Sequence, residues 1–330
     1  MAEQGLSYSR SMTHLIMGYI PTRAIYVAAK LGLADHIDDA GITAQDLARR
    51  LQVDPGALRR IMRVLGGLSI LREADADRFY LTPFGEVLRT DSRSSVRDYA
   101  IYSHEFVYPE LSNIMRAVET GKPVLEDHFT HLHRNPELES VFHSAMSTRG
   151  RIDSAAVINA YDFSHCRLVA DIGGGNGAFL SGLLAAHEQI SGLLFDQESA
   201  IEAAKSGRGG PLPRCDFAVG NFFESIPTGA DTYVLKRVLD DWSDDEVVRI
   251  LVNCRKAMKV NSNLLIIDPL IGAPNEQTPG HLYDVMFLTL MTGRIRTAED
   301  YSQLLARAQF QLSCVVPTES DVSVLEALAC

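Results

Sequence analysis

Apolar residues in the first half of the chain recur at three- and four-residue intervals. Ile16, Ile20, Ala24, Val27, Ala28 and Leu31 form one such series, which predicts a helix from Thr13 to Leu33, apolar around much of its surface. The stretch TAQDLARRLQVDPGALRRIMRVLGGLSIL predicts helix, a turn at Asp54-Pro55-Gly56, and helix. Thr43 and Asp54 are the N-caps, because their side-chain oxygens can accept first-turn amide hydrogens. DRFYLTPFGEVL then predicts a short hairpin wing.

After Tyr161 the pattern changes. Short apolar runs bounded by turn residues (CRLVADI, SGLLFD, CDFAVGN, TYVLKR, NLLIIDPL, then QFQLSCVVP and VSVLEAL) alternate with helical stretches. That alternation predicts βαβ units and an α/β, doubly wound, Rossmann-like sheet, whose ligands bind at the carboxyl ends of the strands. The expected division is a mainly helical domain over residues 1–155 and a Rossmann-like domain over 156–330, with the linker between Ile152 and Ser164.

Composition supports this division. A chain of 330 residues with 46% apolar content can bury two cores. Helix, helix and wing together have a winged helix-turn-helix shape, which raises DNA binding as one reading and a packing or dimerisation module as the other. Arg49, Arg50, Arg59, Arg60 and Arg63 are offset by Asp46, Asp54, Glu73, Asp75 and Asp77, and the net charge is −11. A nucleic-acid binder needs a basic face that displaces counterions, so no nucleic-acid partner is expected. Cys166, Cys215, Cys254, Cys314 and Cys330 lack C-x-x-C spacing, which points to a reducing cytoplasm. No segment stays apolar for the ~20 residues that span a bilayer, and no membrane partner is expected.

The most informative segment is VADIGGGNGAFLSGLL. Asp171 ends a strand, and Gly173, Gly174, Gly175 and Gly177 form a turn that needs positive φ or close backbone approach to a ligand. GGGNGA also satisfies the G-x-G-x-x-A form of a dinucleotide loop. The discriminating feature is the acid two positions before the first glycine, a carboxylate suited to an ammonium or a sulfonium. Asp196 follows roughly 20 residues on, where an acid can accept hydrogen bonds from both ribose hydroxyls.

These motifs, with VGNFFE and YVLKRVLDDWSDDE, resemble the S-adenosylmethionine-dependent small-molecule O-methyltransferases of plants and bacteria, including caffeate, hydroxyneurosporene and antibiotic-tailoring enzymes. The resemblance implies S-adenosylmethionine as cofactor, S-adenosylhomocysteine as product, a winged-helix-like N-terminal dimerisation domain and a homodimer. It places Asp171, Gly173, Gly175, Asp196, Asn221, Phe222 and Lys236 around the cofactor. Asn221 stands where the family has aspartate, and its amide can still bond an adenine edge.

The family's Leu-His-Asp-Trp motif carries the histidine base, and here the segment reads Leu239-Asp240-Asp241-Trp242. The resemblance sets Asp268 where an acid orients that histidine, and Ile295 where a second acid stands. An ordinary aspartate, with a pKa near ~4, is a weak base for a phenol near ~10. Alignment alone can still supply ~7 kcal/mol of a methyl-transfer barrier. The reading is therefore a methyltransferase acting by proximity on a small aromatic or enolic acceptor, with Asp240 orienting the acceptor or taking a proton. The alternatives are a relative that uses the cofactor in a non-methylating step (hydroxylation, decarboxylation or a pericyclic reaction) and a non-catalytic binder. Asp240 as a mere helix N-cap is a further structural reading.

His104 is the nearest substitute base, beside the plainer reading of a structural histidine. Phe106, Phe142, Met146, Trp242, Phe287 and Met291 are candidates for a flat apolar acceptor pocket, or equally for core. Asp240, Asp241, Asp268, His281 and Asp284 fit no standard ligand spacing, and no metal is assigned.

Overall fold

The computed structural model describes residues 2–74, 77–125, 132, 134–207 and 209–330, with side chains from residue 7 onward; Asp75 lies outside the described residues. Two compact units emerge, Met1–Pro109 with Asn135–Thr148, and Glu110–Arg134 with Arg149–Cys330. They differ from the division expected at 155/156. The helix Pro136–Ala160 runs through most of the expected linker, because residues 152–160 contain no glycine or proline and Val157 is wholly buried.

In the first unit, α1 (Ala2–Ile16) and α2 (Tyr19–Lys30) replace the single helix expected from Thr13 to Leu33. The break falls at Met17-Gly18, where the Gly18 amide bonds back to the Leu15 carbonyl at 3.0 Å. Pro21, in the first turn of α2, has no amide hydrogen and disfavours helical backbone just before it. Tyr8, Met12, Leu15, Ile16 and Tyr19 leave more than half of their surface exposed within the single chain.

The caps hold as expected. Thr43 accepts the Asp46 amide ahead of α3 (Ala44–Leu51), and Asp54 accepts the Ala57 amide at 2.7 Å ahead of α4 (Pro55–Gly67). Leu47, Leu58, Met62, Leu65 and Phe79 form the core beneath them. The wing lies earlier than expected. It pairs β2 (Leu71–Ala74) with β3 (Arg78–Leu81), and β1 (Ile42–Thr43) lies on the other side of β3. The expected second half of the wing is instead a helical turn, Gly85–Leu88, since Pro83 cannot extend a ladder and Thr82 Oγ1 accepts the Gly85 amide. Arg49, Arg59 and Arg63 each face an acid, Asp46, Asp77 and Glu73 respectively.

The second unit is the doubly wound α/β domain. Its sheet contains β4 (Leu168–Ile172), β5 (Ser191–Asp196), β6 (Cys215–Val219), β7 (Thr232–Lys236), β8 (Asn263–Asp268), β9 (Phe310–Pro317) and β10 (Ser323–Ala329), in the order β6-β5-β4-β7-β8-β10-β9. The first five strands are parallel, and β10 is antiparallel to both β8 and β9. Strand order reverses between β4 and β7, which makes that point the natural crevice for a ligand.

Both faces of the sheet are covered, so its strands are apolar on both sides. Leu264 and Ile266 of β8 pack with Ile250, Leu251 and Leu305, while Leu265 and Ile267 pack with Leu180, Leu183 and Ile201. No helix among the described residues is long and apolar enough to cross a membrane.

This double coverage sets an expectation for stability. Leu265, wholly buried, should lose about 2–5 kcal/mol on Leu265→Ala. Val260, 85% exposed, should change by less than about 0.5 kcal/mol on Val260→Ala. Urea unfolding followed by far-UV circular dichroism tests the pair, and equal losses would contradict the assignment of Leu265 to the core.

Candidate active site

The turn after β4 is built on glycine. Gly173, Gly175 and Gly177 adopt φ of +71°, +60° and +78°, and Gly177 leads into the helix Ala178–Ala186. At Gly174 a Cβ would collide with the Asp171 carboxylate, whereas one at Gly175 would meet open space. The turn therefore folds tightly over Asp171 and is open above Gly175. Asp196, at the end of β5, ties the loop down: Oδ2 accepts the Gly175 amide at 2.8 Å and Oδ1 the Gln197 amide at 2.6 Å.

Asp171 is 1% exposed, and neither carboxylate oxygen has a hydrogen-bond partner among the described residues. Burial pushes its pKa up to about 7, with Lys236 pulling the other way and Asp196 adding repulsion. Lys236, at the end of β7, is pulled below the usual lysine range by burial, against the pull of Asp153, Asp171 and Asp268. A buried carboxylate with empty acceptor sites, under a loop that is open above Gly175, fits a cationic ligand.

Asn221 is exposed and engaged in its own turn, its Oδ1 accepting the Phe223 amide at 2.9 Å. Phe222 lies close to Gly173 and meets Trp242 edge-on at 6.0 Å, and Phe223 meets the same indole at 4.7 Å. Trp242 thus belongs to an aromatic cluster at the ends of β6 and β7.

Beyond β7 the chain makes a single turn, Leu239–Asp241. Asp240 is 3% exposed, its Oδ1 lacks a partner among the described residues, and its Oδ2 stands 4.0 Å from Arg237 Nη1. Asp268, wholly buried at the end of β8, accepts the Tyr301 hydroxyl at 2.6 Å. Burial raises the carboxyl pKa values of Asp240, Asp241 and Asp268. Mutual repulsion raises those of Asp241 and Asp268 further, and Arg237 opposes all three. Asp240 is not a helix cap, because Ser243 and Glu246 form the capping box of Asp244–Ala257.

Arg296 holds this turn. Its guanidinium is 0% exposed and donates to the carbonyls of Leu239 (2.8 Å) and Trp242 (2.7 Å) and to Asp244 Oδ1 (2.8 Å). Gly293 presses against the same turn, and any Cβ there would run into the carbonyl of Asp240. Arg237 has φ +50° and donates its Nε–H to Asp153 at 2.8 Å. A non-glycine residue in that region costs about 1–3 kcal/mol. Sequence reasoning missed Arg237, Arg296, Gly293, Asp153 and Tyr301; the available signal was the place of Arg237 within LKRVLDDW and of Gly293 and Arg296 beside Ile295.

His104 belongs to the first unit, on the π-helical segment Ser103–Val107. Its ring stacks between Tyr26 (5.0 Å) and Tyr108 (5.3 Å), and its buried Nε2 has no hydrogen-bond partner among the described residues. Burial and Arg23 lower its pKa. Phe106 and Phe142 both pack on Tyr102 in that unit, where Met146 is half-buried. Phe287 is buried on the helix Pro279–Leu290, and Met291 caps that helix in the second unit. No cluster of three or more His, Cys, Asp or Glu among the described residues could hold a metal ion. His281 bonds Thr278, and Asp284 accepts the Ile295 amide.

Two family models match the chain, an O-methyltransferase domain over residues 110–311 and an O-methyltransferase dimerisation domain over residues 13–91. A phenazine O-methyltransferase of Lysobacter antibioticus is 34% identical, with 97% of this chain and 96% of that protein covered. An 8-amino-8-demethylriboflavin N,N-dimethyltransferase of Streptomyces davaonensis is also 34% identical, over 92% and 90%. The solved structure of a methyltransferase of calicheamicin biosynthesis, in its SAH-bound form, superposes with a TM-score of 0.89 at 29% identity, covering 98% of this chain and 99% of that one. The chain belongs to the O-methyltransferase family.

Proposed function

We propose that this protein is an S-adenosylmethionine-dependent methyltransferase of natural-product biosynthesis, acting on a small, planar aromatic acceptor with Asp240 as the proton-accepting group. The observation that carries the reading is the buried, unpartnered Asp171 carboxylate beneath the glycine turn, at the switch point of the sheet. The relatives described above are all named methyltransferases, and they include both oxygen and nitrogen methylation. Methyl transfer is therefore adopted over the non-methylating alternative.

Asp171, beneath the turn of Gly173 and Gly175, would receive the amino-acid end of the cofactor, Asp196 its ribose, and Asn221 and Phe222 its adenine, with Lys236 alongside. S-adenosylmethionine supplies a methyl group already activated on a sulfonium. What the chain adds is placement and proton removal. Burial makes the Asp240 carboxylate a stronger base than an ordinary aspartate, bringing it nearer to the pKa of an acidified phenol or enol. Trp242, Phe287 and Met291 would offer flat apolar surfaces to the acceptor within the second unit. His104, its ring stacked on Tyr26 and Tyr108 in the first unit, is given no part in proton transfer.

A homodimer is the expected assembly. The dimerisation model covers residues 13–91, and the exposed apolar side chains of α1 and α2 are the kind of surface a second copy covers.

Three outcomes test these assignments. First, the Asp171 carboxyl of the free protein gains a proton as pH falls through about 7, and a cationic ligand requires the ionised form. Cofactor affinity measured by calorimetry should thus level off above about 7 and fall up to about tenfold per unit below it, with proton release on binding. A flat profile in wild type would remove Asp171 from the cofactor's cationic end.

Second, mass spectrometry with S-adenosylmethionine and a panel of hydroxylated phenazines and flavin-like amines should show acceptors gaining one methyl, matched by S-adenosylhomocysteine. For an acceptor with an acidic hydroxyl, Asp240→Asn should slow turnover by about 100-fold or more with cofactor affinity nearly unchanged. Unaltered turnover would exclude Asp240 as the base. Third, Met12→Glu combined with Ile16→Glu should halve the mass seen by light scattering, and a persistent dimer would place the interface elsewhere.

A further inference from the structure

We propose that Arg237 is the positioning residue that keeps Asp240 ionised, its guanidinium anchored on Asp153 and shared across to the Asp240 carboxylate. The inference rests on the reading of Asp240 as proton acceptor. It adds what that reading lacks, a reason for a deeply buried aspartate to be charged before the acceptor arrives.

The geometry is specific. Arg237 follows β7 directly, takes the left-handed conformation at φ +50°, and gives its amide hydrogen to the Ile267 carbonyl at 2.9 Å. The backbone is therefore fixed against β8, and the side chain leaves it in a direction an extended residue would not give. Nε then bonds Asp153 at 2.8 Å, and Nη1 stands 4.0 Å from Asp240 Oδ2. The two carboxylates are 3% and 4% exposed, and the guanidinium between them is 20% exposed. A planar fork with two donor edges can serve two acids at once, which an ammonium does less well.

The other charged groups facing Asp240 do not replace it. Arg296, ahead of the helix Ala298–Arg307, has its donors committed to the Leu239 and Trp242 carbonyls and to Asp244. Arg149, on the helix Pro136–Ala160, lies 3.7 Å from Asp321 and over the ring of Tyr283. Asp241 in the same turn and Asp268 on β8 are acids that oppose ionisation, and Tyr301 gives its hydroxyl hydrogen to Asp268. Arg237 is first among the groups that lower the Asp240 pKa, ahead of Arg149 and Arg296. Asp153 prevents the guanidinium from pairing wholly with Asp240, leaving that carboxylate charged and yet able to accept a proton.

Infrared difference spectroscopy of the full-length protein tests this without an acceptor. The protonated-carboxyl band of Asp240 is identified by its loss in Asp240→Asn and followed against pH. Arg237→Gln should move its midpoint upward by about one unit or more, the effect of removing an opposite charge at this range. Arg237→Lys, which keeps the charge but lacks the second donor edge, should leave the midpoint between those of wild type and Arg237→Gln. A midpoint unmoved by Arg237→Gln, or moved alike by both variants, overturns the proposal.

Should Arg237→Gln not fold, selectively labelled arginine in the wild-type protein serves instead. The guanidinium resonances of Arg237 should follow the Asp240 midpoint and cease to do so in Asp240→Asn, and resonances indifferent to that titration overturn the proposal. The underlying reading fails separately, through unaltered turnover in Asp240→Asn with a hydroxylated phenazine.

Discussion

Charge buried without full compensation is the constraint around which the second unit is organised. Carboxylates of Asp171, Asp240 and Asp268 stand at or just beyond the ends of parallel strands, almost wholly removed from water. Each retains at least one oxygen without a partner among the described residues. An ionised carboxylate in such a place is costly unless cations or donors face it. Lys236, Arg237 and Tyr301 stand in that role. A core designed for stability alone would not carry these groups, so the folding energy of the apolar sheet sustains chemistry at its edge.

The sheet can bear that load because most of its packing lies away from the site. Alternate residues of β8 serve two separate clusters, one under Asp244–Ala257 and Ala298–Arg307 and the other under Ala178–Ala186. Asp240 and Asp268 lie past the last buried apolar residue of their strands, and Asp171 is followed in β4 only by Ile172. Their elements are fixed by packing behind them, and their side chains take orientations that isolated loops would not hold.

Sequence reading recovered what local rules specify. Thr43 and Asp54 cap as their positions in the pattern demand, the strand runs become β4 to β10, and the glycine spacing locates the turn over Asp171. Misreadings arose where a single residue or a distant contact overrides a local pattern. The Thr13–Leu33 periodicity survives the break at Gly18, so periodicity alone does not report the break. The helix Pro136–Ala160 continues through a segment whose composition resembles a linker, because Val157 reaches the second core. Nothing in the local sequence marks Arg237 or Arg296 as buried, and only the fold gives them their partners. The left-handed φ of Arg237 carries no sequence signal, since the usual glycine or asparagine marker is absent.

The hold of Arg296 on the turn Leu239–Asp241 has a wider meaning. Its hydrogen bonds go to the carbonyls of Leu239 and Trp242 and to Asp244, and a Cβ at Gly293 would run into main-chain atoms of Asp240 and Asp241. Neither grips the side chain at position 240. The backbone there behaves as a socket whose shape is set from outside, so the group it presents can be exchanged in evolution without redrawing the loop. Proton-handling chemistry in this scaffold is thereby separable from architecture, and a lineage can revise its acid–base repertoire one residue at a time.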